Sequence, residues 1–195
     1  MKKGYLLLLC TFLYFAAANA QYKKHEIEIG IGIWNLNEVT NIASTITVPS
    51  VPTGTMMEGG KSFGSIHVNY KYRLHERISA GGTFAYDYSS ANAVLNHYPI
   101  GSFNMTHYTL AAEADYTYLN FKYFKMYALA GIGGTLYDMD YMDGVNSNKD
   151  DDNTSLHFTF QLTPIGLKFG DTFGGFLEIG FGYRGIFNAG LFIRL

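Results

Sequence analysis

The stretch that decides the fold is the C-terminal segment Phe176-Leu-Glu-Ile-Gly-Phe-Gly-Tyr-Arg-Gly-Ile-Phe-Asn-Ala-Gly-Leu-Phe-Ile-Arg-Leu195. With a period of two, one face of its first half is apolar and comprises Leu177, Ile179, Phe181 and Tyr183. The other face comprises Glu178, Gly180, Gly182 and Arg184. An α-helix cannot separate these two sets, because its period is 3.6 residues. The segment therefore predicts a β-strand with one apolar face and one polar, glycine-rich face.

A second strand follows a tight connection between Gly185 and Phe187. Its apolar face comprises Ala189, Leu191, Ile193 and Leu195, and its other face comprises Asn188, Gly190 and Arg194. The alternation runs to the last residue of the chain. Two such strands in succession are typical of a transmembrane β-barrel, whose strands alternate between lipid and lumen.

The same alternation recurs upstream. Five alternating segments run through residues 26–33, 65–73, 78–88, 107–118 and 156–169, the last interrupted by a predicted bulge at Pro164. A glycine- and alanine-rich segment at 125–137 adds a strand whose facing the pattern leaves open. The total is eight, an even number, as single-chain bacterial barrels require. The sequence thus predicts an all-β fold: an eight-stranded antiparallel transmembrane β-barrel with an up-and-down meander.

The connections between the predicted strands differ in length. Residues 74–76, 119–124 and 170–174 make short connections, whereas 35–60, 89–104 and 138–154 are long and polar or proline-containing. Short turns belong on the periplasmic side of such barrels and long loops on the outside. We therefore expect both termini in the periplasm and three long outer loops, with the fourth outer connection, near Gly185, very short.

The N-terminal segment predicts export. Residues 1–20 carry Lys2 and Lys3, then an apolar run, then Ala18-Asn19-Ala20, which is the pattern of a cleavable signal peptide. The barrel domain is then 21–195. The one cysteine, Cys10, lies within the predicted signal peptide, so the mature chain has no disulfide or thiolate site. A net charge of −2 argues against a nucleic-acid surface.

These features resemble a known group. Segments 178–184 and 188–195 are similar to the closing strands of small eight-stranded outer-membrane barrels of the OmpA/OmpX type, in the β-barrel domain family common in Bacteroidota. The resemblance implies a place in the outer membrane of a Gram-negative bacterium. It also implies contact with outer-membrane lipid and with the barrel-insertion machinery. It implies no cofactor.

Charged residues of the polar parity are predicted to point into the lumen. They are Glu26, Glu28, Lys71, Arg73, Glu113, Asp115, Lys168, Glu178 and Arg194. Barrel closure should bring Arg194 toward Glu26 or Glu28, and Lys71 and Arg73 should approach from the second strand. Unpaired charges would be costly in so narrow an interior, whereas opposite charges satisfy one another. We expect a structural network that plugs the lumen, with a gated ion path as the alternative.

Metal ligands are weakly indicated. His67, His107 and His157 share the lumen parity, but they fall on non-neighbouring strands without ligand spacing, so hydrogen-bonded lumen histidines are the preferred interpretation.

An acidic outer segment contains Asp138, Asp140, Asp143 and Gly144, with residues 150–152 nearby. Met142 occupies the third ligand position of a calcium loop, so a solvated acidic loop is preferred over weak cation binding. We predict no metal and no cofactor.

Catalysis is the sharpest alternative to a binding role. Asp87, His97, Ser102 and His107 lie near the predicted outer rim, where barrel enzymes that modify lipid A and outer-membrane proteases carry their catalytic groups. No spacing among these four imposes a triad, so we predict a protein that is not an enzyme.

Three functions remain open. The first is an envelope-structural barrel, or a platform that binds an extracellular ligand or partner protein through loops 35–60, 89–104 and 138–154. The second is a narrow channel, or a carrier of small apolar molecules like the OmpW-type barrels. The third, a soluble lipocalin-like barrel, is disfavoured because the apolar faces are predicted to point outward.

Overall fold

The computed structural model describes residues 23–35, 56–95, 98–143 and 151–195. The described residues form eight strands: β1 His25–Ile33, β2 Met56–His75, β3 Ile78–Leu95, β4 Tyr98–Asn120, β5 Phe124–Asp143, β6 Asp151–Gly170, β7 Phe173–Gly182 and β8 Phe187–Arg194. Across these ranges, no helix is long and apolar enough to cross a membrane. The predicted signal peptide at 1–20 lies outside the described residues.

The eight strands close into one antiparallel barrel in chain order. Each strand pairs with the next, and β8 returns to β1 through pairs such as Ile29 with Leu191. Closure leaves the barrel body without a free sheet edge, because every strand there has two hydrogen-bonded neighbours. The predicted fold, an all-β eight-stranded meander, is confirmed.

The inside and the outside of the barrel have opposite chemistry. Large apolar side chains such as Ile29 and Leu110 point outward and are 54% and 71% exposed. The inward positions between them are polar and buried, for example Glu28 and Thr109. A soluble barrel has the reverse arrangement, whereas a barrel in lipid needs an apolar exterior. The predicted inward facing of Glu28 on β1, Lys71 on β2 and Glu113 on β4 agrees with the structure.

Strand β5 now has a definite facing. Tyr127, Leu129 and Thr135 are buried in the lumen, whereas Ile132 and Leu136 are exposed on the outside. The inward-facing residues of β5 include the apolar Tyr127 and Leu129, and small residues occur on both faces. The sequence pattern alone therefore did not separate the two faces.

The predicted bulge at Pro164 is present. Pairing of β6 with β7 shifts register between Leu162 and Ile165, and pairing with β5 shifts between Tyr127 and Leu129. Pro164 and Ile165 are both exposed. The bulge therefore shifts the inward and outward alternation by one residue, so that Ile165 and the apolar residues after it still face outward.

Strands β2 to β6 rise past the ends of β1 and β7. We call the residues concerned, 56–64, 88–95, 98–106, 138–143 and 151–160, the raised wall. Strand β1 pairs with β2 only as far as Gly32 with Ser65, and β7 pairs with β6 only as far as Gln161 with Gly182. Apart from the bond from Tyr183 N–H to the carbonyl of Phe160, at 3.2 Å, each outer edge of the wall therefore pairs on one side only among the described residues.

The raised wall corrects the three predicted long loops. Residues 89–104 were expected as one loop, but their described part is strand, in β3 up to Leu95 and in β4 from Tyr98. Most described residues of 138–154 are also strand, and residues 56–60 of the expected 35–60 loop are strand as well. The reason is an apolar cluster on the inner face of the wall, formed by Ala91, Ala93, Phe103, Met105 and Met139. Residues 36–55, 96–97 and 144–150 lie outside the described residues.

Candidate functional site

Aromatic side chains fill part of the lumen because glycines leave room for them. Phe176 and Phe192 point inward and are each 1% exposed. A Cβ added at Gly30 or Gly190 would lie 2.7 or 2.6 Å from ring atoms of Phe176. The glycine-rich polar parity of β1 and β8 is thus a packing requirement. An eight-stranded interior has space for side chains and little else.

Arg184 is the centre of the lumen charges. Its side chain is fully buried, and Nη1 donates to both carboxylate oxygens of Glu178, at 3.0 and 3.2 Å. Nη2 donates to Glu113 on the opposite side. A buried guanidinium is tolerable only when carboxylates compensate it with good geometry, and here two do so.

The backbone at Gly182 explains how Arg184 reaches this position. Strand β7 ends at Gly182, whose φ of 145° favours glycine. Beyond it the alternation breaks, and Tyr183 and Arg184 are both buried. The prediction that Tyr183 faces lipid is therefore wrong. Its hydroxyl donates to Glu113 Oε1 at 2.5 Å.

Neutral donors and acceptors complete this layer. Tyr127 donates its hydroxyl to Glu178 Oε1 at 2.6 Å. The Oε1 atom of Gln161 accepts the backbone N–H of Arg184 at 3.0 Å. Each central carboxylate thus receives bonds from the guanidinium and from one tyrosine. Such pairing of both carboxylates makes a buried charge layer rigid. Within the described residues, Arg184 Nε has no hydrogen-bond partner.

A second layer lies closer to the termini and is centred on Glu28. Lys71 Nζ lies 3.2 Å from Glu28 Oε2 and 3.2 Å from Asp115 Oδ2. Lys168 Nζ lies 2.5 Å from Glu28 Oε1, and Asn69 donates to Glu28 Oε2 at 2.8 Å. Two lysines from opposite sides of the barrel therefore share one fully buried carboxylate.

The layer nearest the termini is built on Glu26. Lys168 also reaches Glu26 Oε1 at 2.5 Å, and Arg194 Nε donates to Glu26 Oε2. Arg194 Nη1 donates to the carbonyl oxygens of Asp171, at 2.9 Å, and Gly170, at 3.3 Å. Arg194 therefore ties the last strand both to the first strand and to the β6–β7 turn.

The structure brings together eight of the nine residues expected in the lumen. They are Glu26, Glu28, Lys71, Glu113, Asp115, Lys168, Glu178 and Arg194. Arg73, the ninth, forms no salt bridge with any described residue and lines the mouth of the barrel.

Sequence reasoning missed Arg184, Tyr127 and Tyr183 as members. The signal for Arg184 was charge balance. The nine predicted residues hold four cations and five carboxylates, and Arg184 makes the numbers equal.

A polar row lies between the network and the wall. Asn35 donates to Asp87 Oδ2 at 2.6 Å, and His107 Nδ1 lies 3.9 Å from the same oxygen. The rings of His107 and Tyr137 are 4.9 Å apart, and His157 contacts Ser155 at 2.8 Å. This row spans four strands and combines hydrogen bonds with an ion-pair contact and a ring contact.

Of the other sequence-predicted site residues, Asp87 and His107 lie together as cross-strand partners, whereas the three histidines lie apart from one another. His67 is buried beside Phe176, His107 is buried in the polar row, and His157 is exposed. The described residues contain no group of three or more potential metal ligands. Ser102 is partly exposed and pairs with Asn92, away from His107. His97, Gly144 and Asp150 lie outside the described residues, and the side chains of Met142, Asp143, Asp151 and Asp152 are not described.

Comparison with known proteins concerns the architecture. The sequence matches no protein-family model and no curated relative. The structure is similar to the N-terminal β-barrel domain of Pseudomonas aeruginosa OprF, with a TM-score of 0.45 and 13% identity over 87% of this chain and 97% of that one. It is also similar to Ail, the attachment invasion locus protein of Yersinia pestis, in complex with the heparin analogue sucrose octasulfate, with a TM-score of 0.43 and 12% identity over 88% and 96% of the two chains.

The fold assignment itself stands on the strand pairing of this chain. The closed eight-stranded meander has the architecture of the small OmpA/OmpX-type barrels that the sequence resembles.

Proposed function

We propose that the protein is a non-enzymatic outer-membrane barrel that acts as a binding platform through its raised wall. In this proposal the barrel body is an anchor, both termini face the periplasm, and the wall faces outward. The observation that carries the proposal is the contrast between a lumen crossed by paired charges and a wall of strands that rises past β1 and β7. A rigid scaffold with projecting elements is a common arrangement for recognition.

The surface of the wall supports a binding role. Phe158 and Phe63 are 77% and 69% exposed on its two outer strands, β6 and β2. Among the described strands these two edges lack a second neighbour, so their backbone groups can accept a partner strand. Exposed aromatic residues beside an open edge are a frequent feature of protein contact sites.

A second function, transport of a small apolar molecule, has one observation in its favour. The inner face of the wall carries the apolar cluster that includes Phe103 and Met105. Below it, however, the polar row and the Arg184 layer cross the lumen. An apolar solute could therefore enter the wall but would meet buried charges on the way through the barrel.

The proposal is tested by removing part of the wall. Asp87 and His107 are cross-strand partners, so residues 88–106 can be replaced by an Asn-Gly turn that joins β3 to β4 below the wall. The shortened barrel should still migrate differently before and after boiling on SDS gels. Partners recovered by crosslinking and pull-down from intact outer membranes should be lost.

Point variants give a matched comparison. Phe63→Ser with Phe158→Ser removes the exposed aromatics of the wall, and Phe121→Ser with Phe173→Ser removes aromatics of similar exposure, 61% and 64%, at the opposite end. Loss of partners in the first pair alone supports the proposal. If partners are still recovered after removal of residues 88–106, binding lies elsewhere, on the outer surface of the barrel body or on the short turns.

A further inference from the structure

The end of the barrel that carries the short turns and the terminal residues 23–24 and 195 contains a cationic cavity. We call it the short-turn end. The cavity has a volume of about 260 Å³, and its charged lining comprises Lys23, Arg73, Lys122, Lys125, Asp171 and Arg194. Asn120 and Phe121 complete the lining. Five cations thus surround the space together with a single carboxylate.

Three of the five cations are unmatched. Lys23 pairs with Asp171 at 3.0 Å, and Arg194 pairs with Glu26. Arg73, Lys122 and Lys125 form no salt bridge with any described residue. Cations collected around one concave space raise the local positive potential and favour a bound anion.

The one carboxylate in the cavity reports this field. A hydrogen bond from Lys23 is the main reason why the pKa of the Asp171 carboxyl lies below its ordinary value, and the charges of Lys122 and Arg194 act in the same direction. Asp171 lies in the turn between β6 and β7, outside the membrane-spanning strands. Three cations of the cavity therefore act on this carboxyl.

The donors suit a phosphate group. Arg73 comes from β2, Lys125 from β5 and Lys122 from the β4–β5 turn, so the donors converge from separate elements. The backbone N–H of Arg73 donates to the carbonyl of Lys24 at 2.7 Å, which fixes that part of β2. Guanidinium and ammonium donors together are typical of phosphate recognition. The volume lies below the roughly 300–1,000 Å³ of sites for drug-sized ligands, which favours a headgroup-sized anion.

The surroundings of the cavity indicate the source of that phosphate. Phe121 lines it and is 61% exposed, and Tyr123, in the same turn, is 63% exposed. Lys122 Nζ lies 5.1 Å from the centroid of the Tyr123 ring. Exposed aromatics with an adjacent lysine at the end of an apolar band mark the level of lipid headgroups. These residues place the cavity at the depth of a lipid phosphate.

We propose that the cavity at the short-turn end binds the phosphate of an anionic phospholipid headgroup. The proposal goes beyond the binding-platform function. It rests on that function only for the orientation of the barrel, which decides which leaflet of the membrane supplies the lipid. A zwitterionic headgroup suits the site less well, because its choline cation would be repelled by Arg73, Lys122 and Lys125.

The test is native mass spectrometry of the folded, full-length mature barrel in detergent. Phosphatidylglycerol is titrated against phosphatidylcholine, with inorganic phosphate as a separate arm followed by ³¹P NMR. The site variant is Arg73→Gln with Lys125→Gln. Its control is Lys24→Gln with Arg77→Gln, which removes the same charge from exposed positions at the same end that do not line the cavity. Lys122→Gln, in an exposed turn, is the second variant in case the first does not fold.

We expect saturable binding that prefers phosphatidylglycerol. The site variant should weaken it roughly tenfold or more, and Lys122→Gln should weaken it about two- to fivefold, while the control should have little effect. Equal loss in site and control variants would overturn the proposal, because it would show dependence on overall charge alone. Equal binding of both lipids would also overturn it. Saturation by inorganic phosphate without lipid binding would overturn the lipid source and assign the site to soluble phosphate.

Discussion

Arg184 Nη2 donates a hydrogen bond to Glu113 Oε2 although the two residues lie 71 positions apart in the chain. Both side chains are fully buried. The contact joins the segment after β7 to β4 across the lumen, so it connects two walls of the barrel that share no backbone hydrogen bonds. The lumen charges therefore connect opposite walls of the barrel through its interior.

The first prediction concerns this contact between Arg184 and Glu113. Arg184→Met should destabilise the barrel by about 3–5 kcal/mol, because it leaves the carboxylates of Glu113 and Glu178 buried without their cation. Urea-induced unfolding in lipid vesicles measures the change. Lys61→Met, at an exposed position on β2, is the control and should change stability by less than about 0.5 kcal/mol. A cost below about 1 kcal/mol for Arg184→Met would refute a central role for the guanidinium.

The second prediction separates two cations on β2 that the sequence pattern treats alike. Lys71 is 2% exposed in its side chain and pairs with Glu28 and Asp115, whereas Arg73 pairs with no described carboxylate. Lys71→Gln should therefore cost about 3–5 kcal/mol, and Arg73→Gln less than about 1 kcal/mol. The same unfolding assay compares them. Similar costs for both variants would contradict the pairing.

The faces of the strands could be predicted from sequence because a closed barrel gives each strand one outside and one inside. On β2, Ile66 and Val68 are exposed and His67 is buried, as the period of two requires. The same parity identified Lys71 and Glu28 as lumen residues. Their pairing also followed in part, because closure of an eight-stranded meander sets which strands are neighbours.

Two features could not be predicted, and each has a physical reason. Tyr183 leaves the alternation because Gly182 adopts a positive φ, whereas Arg184 keeps the inward parity of Glu178. The sequence pattern does not show where a strand stops. The raised wall was interpreted as loop because its inner positions, such as Phe103 and Met105, are apolar. In the wall, apolar outward residues no longer alternate with polar inward residues, although the hydrogen-bonded pairing of β3 with β4 continues.

The third prediction tests the depth of the outer face with two leucines of β4. Leu110 lies near the middle of the apolar exterior, and Leu119 lies at the end of the strand beside the β4–β5 turn. Leu110→Arg should cost about 2–4 kcal/mol of folding free energy in lipid vesicles, whereas Leu119→Arg should cost about 0–1 kcal/mol, because the penalty for a charge falls toward the interface. Equal penalties at the two positions would mean that the apolar band is not centred on Leu110.

The last prediction is that the unmodified barrel does not conduct ions steadily at neutral pH. Arg184 crosses the lumen and pairs with the carboxylates of Glu113 and Glu178. Closer to the termini, Glu28 pairs with two lysines in a second layer. An ion could pass only by separating buried pairs, which costs several kcal/mol for each pair. Recordings in planar bilayers should therefore show no stable open state, while a general porin inserted in the same bilayer serves as the positive control. Heat-modifiable migration on SDS gels must first show that the sample is folded. Steady, ion-selective conductance from such a sample would overturn the view that the charges close the lumen, and it would favour a channel over a binding platform.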